Sequence, residues 1–278
     1  MQAQVLFEVV YREVKRIKKK PTRYCENRYT FDLAYTGNGI VAVFVVQREG
    51  LTVDPWVIGK DISWFSTRGS YVSFAKNKNL VISHEGNRFC YLYAEKDNRK
   101  TQPNYYRKEG YTSTGTATCK SGAILVCLWN DAMGDSSHGL VVHMTLKGDY
   151  VFEIESEKNR RLFTCPIYVT ENGNEDVCVS DVDAVVVTDR IGMFRFRFTS
   201  HLGDPQFDPY GICCDFRCNI IIADMKNDKI HVIDEDGAFL YYIQYEGMKM
   251  PRALCIDEND HLYVGEWNCD VIKVISRD

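Results

Sequence analysis

The feature that most constrains the fold of this 278-residue sequence is an internal repeat of about 42 residues near its C-terminus. PYGICCDFRCNIIIADMKNDKIHVI, which starts at Pro209, aligns without a gap with PRALCIDENDHLYVGEWNCDVIKVI, which starts at Pro251. The alignment pairs Cys213 with Cys255, each in a short apolar run. A repeat of this length predicts a fold that is built from copies of one supersecondary unit.

Further copies precede these two. A third copy contains VCVSD and TDRIGMF, which match IIIAD and IDEDGAF of the later unit. Upstream the likeness weakens to a pattern of apolar runs. Two such units contain TGTATCKSGAILVCLW and YVSFAKNKNLVISHEGNRFCYLY. The first unit begins with TFDLAYTGNGIVAVFVV and extends to DISWFST. The best-defined units therefore cover residues 166–198, 209–243 and 251–278, and six units fit between Thr30 and Asp278.

The well-defined units consist of short apolar runs separated by turn residues. In the unit 209–243 the runs GICC, IIIAD, KIHVI and AFLYYI are separated by DFRCN, MKND and DEDG. Short runs rich in Ile, Val, Tyr and Phe between Asp, Asn and Gly indicate strands, and helical spacing is absent. Four antiparallel strands in a unit of about 40 residues predict a propeller blade. We therefore predict an all-β fold, a single six-bladed β-propeller of four-stranded antiparallel blades over residues 1–278.

The last unit ends before its fourth strand, because only SRD follows VIKVI. An unpaired edge would promote aggregation, so we predict that an N-terminal strand completes and closes the last blade. Within the segment 1–20, residues 4–11 (QVLFEVVY) have suitable composition and length for this strand. An amphipathic helix is the alternative, because Leu6, Val10, Val14 and Ile17 would share one helical face.

Composition and charge exclude several classes of protein. No apolar run approaches the length of a membrane span, and the first basic residues follow the first apolar run, unlike in a secretory signal. Eleven cysteines, an odd number in a long chain, favour reduced thiols. The sequence thus predicts a cytoplasmic protein without a membrane partner. With a net charge of −4 no DNA partner is expected, and the basic run 12–28 is predicted to be solvated.

The repeats resemble NHL repeats in the order of their proline, aspartate, asparagine and glycine residues. The unit 209–243 supplies the pattern with Pro209, Gly211, Asp215, Asn219, Asp224, Asn227, Lys229, Gly237 and Phe239. The C-terminal part of the chain resembles the propeller that ends many tripartite-motif ubiquitin ligases. This resemblance implies recognition of a partner or substrate in the ubiquitin pathway, through loops on one propeller face.

The zinc-binding RING and B-box regions of that family require paired Cys-x2-Cys ligands, which do not occur in this sequence. We therefore expect a non-catalytic interaction module, not an enzyme, with no cofactor, no metal ion and a protein as its partner. A propeller that binds single-stranded RNA is one alternative. A metal-dependent hydrolase of the gluconolactonase type, with a central calcium or zinc ion, is the second.

The predicted partner-binding residues lie in the loops between second and third strands and in the loops that enter the next blade. These loops are expected at one face and contain Asp183, Phe207, Lys226, Asn227, Met250, Arg252, Trp267 and Asn268. Aromatic residues and Arg dominate the binding energy of many interfaces, so Trp267 is a candidate anchor. Packing of Trp267 between blades is the alternative.

Five residues at repeated positions are predicted to be structural. Asp181, Asp224 and Glu266 occupy one repeat position, where a carboxylate can hold a turn by accepting bonds from backbone N–H groups. Gly192 and Gly237 follow aspartates in predicted hairpin turns. A carboxylate ring for acid–base chemistry is the alternative for the acidic positions.

The stretch GICCDFRCN places three thiols within six positions. Cys213 and Cys214 are adjacent, so they are predicted to point to opposite faces of one strand and to pack as small apolar side chains. Cys218 is predicted to lie in the following turn, where another unit has Gly122. We therefore expect no zinc site here, and Cys218 is the candidate for an exposed, reactive thiol.

Overall fold

A computed structural model describes twelve segments of the chain, namely residues 11–18, 28–35, 40–46, 52–58, 71–74, 79–83, 90–94, 108–130, 138–201, 206–267, 269 and 271–277. Strands and turns account for all regular structure in these segments. None of them contains a helix that could cross a membrane. The predicted all-β class is confirmed.

The N-terminal part of the chain forms a strand that joins the last sheet, followed by two three-stranded antiparallel sheets. The first strand is β1 (Tyr11–Lys18); sheet 1 contains β2 (Arg28–Tyr35), β3 (Ile40–Val46) and β4 (Thr52–Ile58), and sheet 2 contains β5 (Tyr71–Phe74), β6 (Asn79–Ser83) and β7 (Cys90–Ala94). The segment DISWFST, predicted as part of the first unit, lies outside the described residues.

Sheets 3, 4 and 5 each have four antiparallel strands in sequence order. Sheet 3 contains β8 (Thr112–Thr118), β9 (Ile124–Asn130), β10 (His138–Met144) and β11 (Tyr150–Ile154), and a small hairpin of β12 (Ser156–Glu157) and β13 (Arg160–Arg161) follows it. Sheet 4 contains β14 (Tyr168–Glu171), β15 (Val177–Asp181), β16 (Ala184–Thr188) and β17 (Phe194–Phe198), and sheet 5 contains β18 (Pro209–Cys214), β19 (Ile220–Asp224), β20 (Lys229–Ile233) and β21 (Phe239–Ile243). Each of the four apolar runs predicted in residues 209–243 forms a strand.

Sheet 6 combines the two ends of the chain. Its C-terminal strands are β22 (Pro251–Ile256), β23 (Leu262–Glu266) and β24 (Val271–Arg277), and β1 pairs antiparallel with β24. Tyr11 is opposite Arg277 and Ile17 is opposite Ile272. The predicted closing segment 4–11 lies outside the described residues except for Tyr11. The N-terminal strand that pairs with β24 lies further along the chain, and residues 11–18 do not form the alternative amphipathic helix.

The first strands of successive sheets lie against one another. Contacts join β2 to β5, β5 to β8, β8 to β14, β14 to β18, β18 to β22, and β22 back to β2. Glycine allows close backbone approach at these seams: a Cβ atom on Gly211 would lie 2.3 Å from the carbonyl oxygen of Arg252. We refer to these six strands as the first-strand group.

The buried core lies between neighbouring sheets. Cys213 belongs to an apolar cluster between sheets 5 and 6, whereas Cys214 packs against a different cluster that contains Cys178 and Phe198. The two adjacent thiols therefore face opposite sides of β18, and Cys218 lies half-buried in the next turn with a φ of 67°.

The hairpins between third and fourth strands contain the predicted glycines. Gly192 and Gly237 have φ values of +92° and +89°, a conformation that glycine adopts without steric cost. Asp189 and Asp234 open these hairpins, and the Oδ1 atom of each accepts hydrogen bonds from two backbone N–H groups within its hairpin.

Candidate functional site

Several of the predicted partner-binding residues lie together at one end of sheets 4 and 5. The Oδ1 atom of Asp183 accepts a hydrogen bond from Nε2 of Gln206 at 2.9 Å. The side chain of Asn227 donates to the carbonyl oxygen of Gln206 at 2.9 Å, and Lys226 forms an ion pair with Asp208 at 3.4 Å. The loop that enters sheet 5 therefore connects Asp183 with Lys226 and Asn227.

Contacts at the same end of sheets 5 and 6 involve Met250 and Trp267. The backbone N–H of Met250 donates to Oδ1 of Asp228 at 2.7 Å, and the backbone N–H of Trp267 donates to the carbonyl oxygen of Met250 at 2.9 Å. Arg252 follows Met250 but is 93 % buried, since only 7 % of its surface is exposed. Asn268, the last predicted residue, lies outside the described residues.

Phe207 is not on this surface, which corrects the sequence prediction. The residue is only 2 % exposed and belongs to the apolar core between sheets 4 and 5. Its ring packs edge-to-face on Phe198, with centroids 5.5 Å apart, and lies 4.8 Å from the ring of His231. The loop turns this side chain inward because burying an aromatic ring is strongly favourable.

The repeated acidic residues fasten the loops that lead into their own sheets. Asp181 accepts hydrogen bonds from the backbone N–H groups of Thr164 and Cys165 at 2.8 and 2.6 Å. Asp224 accepts one from the N–H of Asp208 at 3.2 Å. Burial raises the pKa of Asp181, although these bonds act in the opposite direction.

Glu266 makes the corresponding contacts in sheet 6. Its Oε1 atom accepts hydrogen bonds from the N–H of Lys249 at 3.1 Å and from the hydroxyl of Tyr245 at 2.7 Å. Lys273, which is 8 % exposed, donates to the same oxygen at 2.8 Å. In sheet 5, His231 replaces the lysine and lies 3.0 Å from Oδ2 of Asp224. The hydrogen-bonding capacity of these carboxylates is used by loops and by the buried side chains of Lys273 and His231.

A second set of polar side chains lies on the first-strand group itself. The guanidinium of Arg252 on β22 lies 4.6 Å from the ring centroid of Tyr210 on β18 and 4.6 Å from that of Trp267. Both rings are half-buried. A guanidinium stabilised by two aromatic rings keeps its full charge inside the protein, because cation–π attraction replaces part of its hydration.

Asp32 on β2 carries a carboxyl group on which the charge of Arg252 acts. It is 5 % exposed and accepts hydrogen bonds from the backbone N–H groups of Leu33 at 2.8 Å and Val72 at 2.7 Å. Burial raises the pKa of Asp32 to about 7, although both hydrogen bonds and the charge of Arg252 lower it. The carboxyl group therefore changes its protonation state near neutral pH.

Two buried phenols lie beside this pair. Tyr71 and Tyr168 pack edge-to-face with their ring centroids 5.1 Å apart. Burial raises the pKa of Tyr168, with Arg252 acting against the shift, so the phenol stays protonated at neutral pH. We call Asp32, Tyr71, Tyr168, Tyr210, Arg252 and Trp267 the axial cluster.

Sequence reasoning found only part of the axial cluster. Arg252 and Trp267 were predicted as surface residues for a partner, whereas the structure places Arg252 inside. Tyr210 and Arg252 occupy the same position of two aligned repeats, directly after Pro209 and Pro251, and this signal could have identified them. Asp32 gave no such signal because its unit resembles the others only in its apolar pattern.

The described residues do not fit the central calcium or zinc ion of the hydrolase alternative. Within the described segments, no group of three or more His, Cys, Asp or Glu side chains could hold a metal ion. Asp32 also has the positive charge of Arg252 beside it, which would oppose a second cation.

Comparison with known proteins identifies the architecture. No family model and no curated protein matches the sequence. A gluconolactonase from Xanthomonas campestris superposes with a TM-score of 0.63 and 15 % identity, covering 92 % of this chain and 88 % of that one. Virginiamycin B lyase from Staphylococcus aureus superposes with a TM-score of 0.62 and 10 % identity, covering 97 % of this chain and 100 % of that one. The WD40 β-propeller domain of Doa1 superposes with a TM-score of 0.55 and 9 % identity, covering 96 % of this chain and 97 % of that one.

These structures correct one prediction and refine another. The prediction that the chain is not an enzyme is wrong, because the solved structures that share its fold over nearly the whole length include a gluconolactonase and a lyase. The resemblance to NHL repeats of tripartite-motif proteins stays a prediction, since these neighbours belong to other propeller groups. At identities of 15 % or less the likeness establishes the fold alone. The chain has the fold of a β-propeller.

Proposed function

We propose that the chain is a six-bladed propeller enzyme that uses acid–base chemistry, in the hydrolase or lyase class, on a small organic substrate at the axial cluster. The six sheets and the succession of contacts in the first-strand group support the number of blades. The pairing of β1 with β24 supports closure of the last blade by the N-terminal segment.

The observation that carries this proposal is the buried carboxyl group of Asp32, on whose pKa the charge of Arg252 acts. A carboxyl group whose pKa is about 7 can accept and return a proton at neutral pH, which is the requirement for a general base. Arg252 supplies a fixed positive charge, held between two rings, that can stabilise negative charge developing on a substrate. The protonated hydroxyl of Tyr168 is an additional donor. These roles need no metal ion.

Hydrolysis of gluconolactone and of a panel of simple lactones and aryl esters by the full chain tests the proposal. The variant Asp32→Asn should lower kcat/KM by about 100-fold or more, since it removes the general base. The wild-type rate should rise through a pH near 7 as Asp32 loses its proton. Asp183→Asn, at an exposed carboxylate outside the axial cluster, is the matched control and should leave the rate unchanged. Absence of turnover, or equal rates for both variants, would contradict the proposal.

A second candidate function is recognition of a protein partner by the loop face. The contacts that connect Asp183, Lys226 and Asn227 support a common surface there, and the side chain of Lys226 is 68 % exposed. Lys226 and Lys249 each form an ion pair with an aspartate, so this face offers little unpaired positive charge to RNA. A protein partner is therefore preferred to single-stranded RNA.

Affinity capture from native extract tests this second function. The double variant Asp183→Lys, Lys226→Glu reverses two charges of the face, whereas Arg190→Gln changes a distant exposed residue. A partner that binds the loop face should be retained by the wild type and by Arg190→Gln, and lost by the double variant. Retention by all three proteins would exclude this face.

A further inference from the structure

A groove lies between sheets 5 and 6. Ile256, the last residue of β22, lines the groove, whereas Arg252 lies near the other end of that strand. The groove has a cavity volume of about 50 Å³ and is partly open to solvent. Its apolar lining comes from Ile221 and Ile243 of sheet 5 and from Ile256 and Leu262 of sheet 6. An aliphatic chain of a few carbons would be desolvated on both sides here.

Two arginines stand at the edge of this apolar lining. Arg217 and Arg277 both line the groove and are exposed. Both side chains lie near aromatic rings: the guanidinium of Arg217 is 5.2 Å from the ring centroid of Phe216, and that of Arg277 is 5.9 Å from the ring centroid of Tyr241. Neither guanidinium forms a hydrogen bond or an ion pair with a described residue, so the donors of both are available to a ligand.

The two acidic residues of the groove are engaged in the protein. Oδ1 of Asp215 accepts hydrogen bonds from the N–H groups of Arg217 and Asn219 at 2.9 and 2.8 Å, and Oδ2 accepts the side-chain amide of Asn219 at 2.7 Å. Burial and the charge of Asp215 raise the pKa of Asp260, whereas a backbone hydrogen bond from Phe216 and the charge of Arg217 lower it. The guanidinium groups therefore retain more unused hydrogen-bonding capacity than the carboxylates.

We infer that this groove is a binding site for a small aliphatic carboxylate, with the chain against the four apolar residues and the carboxylate at Arg217 and Arg277. Planar guanidinium groups suit this anion, because they donate two parallel hydrogen bonds to its oxygens. The site shares no residue with the axial cluster. It therefore does not depend on the proposed enzymatic function.

Ligand titrations followed by saturation-transfer NMR and by backbone amide shifts of the full chain test this site. Isovalerate should bind with a roughly millimolar Kd, as expected for a ligand of few atoms, and should shift amides in the turns at 215–219 and 257–261. Isovaleramide, which has the same shape without the charge, should bind about 10-fold more weakly or worse. Leucine adds an ammonium group, so tighter binding of leucine than of isovalerate would identify an amino acid as the source of the carboxylate.

Two variants locate the anion contact. Arg217→Gln and Arg277→Gln should each weaken isovalerate binding about 10-fold, whereas Arg190→Gln, at an exposed arginine of another sheet, should leave it unchanged. Both substituted side chains are exposed, and the comparison of acid with amide on the wild type needs no variant at all. Equal binding of acid and amide, no binding of either, or shifts confined to residues outside the groove would overturn the inference.

Discussion

The carboxylate of Asp32 on β2 accepts a hydrogen bond from the backbone N–H of Val72 on β5 at 2.7 Å and thereby joins the first two sheets. Burial raises the pKa of Asp32 from 3.8 to about 7, so between these values the folded state holds a proton that the unfolded state has released. The contribution of Asp32 to the free energy of unfolding must therefore fall as the pH rises from about 4 to about 7.

The first prediction follows from this linkage. The stability of Asp32→Asn relative to wild type should increase by roughly 2 to 4 kcal/mol between about pH 5 and about pH 8, because the amide cannot ionise. Urea unfolding at the two pH values measures the difference. Asp183→Asn, at an exposed carboxylate, is the matched control. If the free energies of unfolding of wild type and Asp32→Asn differ by the same amount at both pH values, the prediction is contradicted.

The second prediction concerns the buried pair of Glu266 and Lys273. Glu266→Ala should destabilise the protein by about 3 to 5 kcal/mol, because it leaves the ammonium of Lys273 buried without its carboxylate. Combining it with Lys273→Met should recover part of this loss. A double-mutant cycle from urea unfolding measures the coupling. Additive effects of the two substitutions would mean that the pair does not interact.

The repeated units made part of this fold predictable from sequence. In residues 209–243 the strands could be placed because the first three apolar runs recur in the next unit and turn residues separate all four runs. The loop positions of Asp183, Lys226 and Asn227 also followed from the repeat frame. Their role in binding a partner stays a prediction, since the geometry does not test it.

The failures have physical causes. Phe207 was placed on the surface because its loop leads into the next blade at the predicted face, but a loop residue can turn inward where a neighbouring sheet offers an apolar pocket, here beside Phe198. Asp32 and Arg252 lie on neighbouring strands, β2 and β22, that come from opposite ends of the sequence and from units with little mutual similarity. Periodicity describes one unit at a time, so it does not reveal contacts that form only when the sheets assemble.

The third prediction tests the close approach of sheets 5 and 6. A Cβ atom on Gly211 would lie 2.3 Å from the carbonyl oxygen of Arg252 and 2.8 Å from the backbone nitrogen of Leu254. Gly211→Ala should therefore lower the free energy of unfolding by about 3 kcal/mol or more, because backbone atoms must separate. Gly247→Ala is the control. With no atom within 4 Å and a φ of +78°, it should cost only about 1 to 2 kcal/mol. Equal losses for both variants would contradict close packing at Gly211.

The fourth prediction separates the three thiols of GICCDFRCN. Cys213 is buried and burial raises its pKa, so little reactive thiolate forms at neutral pH. Cys214 packs against the core cluster of Cys178, whereas Cys218 lies half-buried in a turn. Treatment of the native protein with iodoacetamide, followed by peptide mass spectrometry, should therefore show Cys218 modified first, and all three modified at similar rates in urea. Modification of Cys213 or Cys214 ahead of Cys218 in the native protein would contradict the assignment of two core positions and one turn thiol.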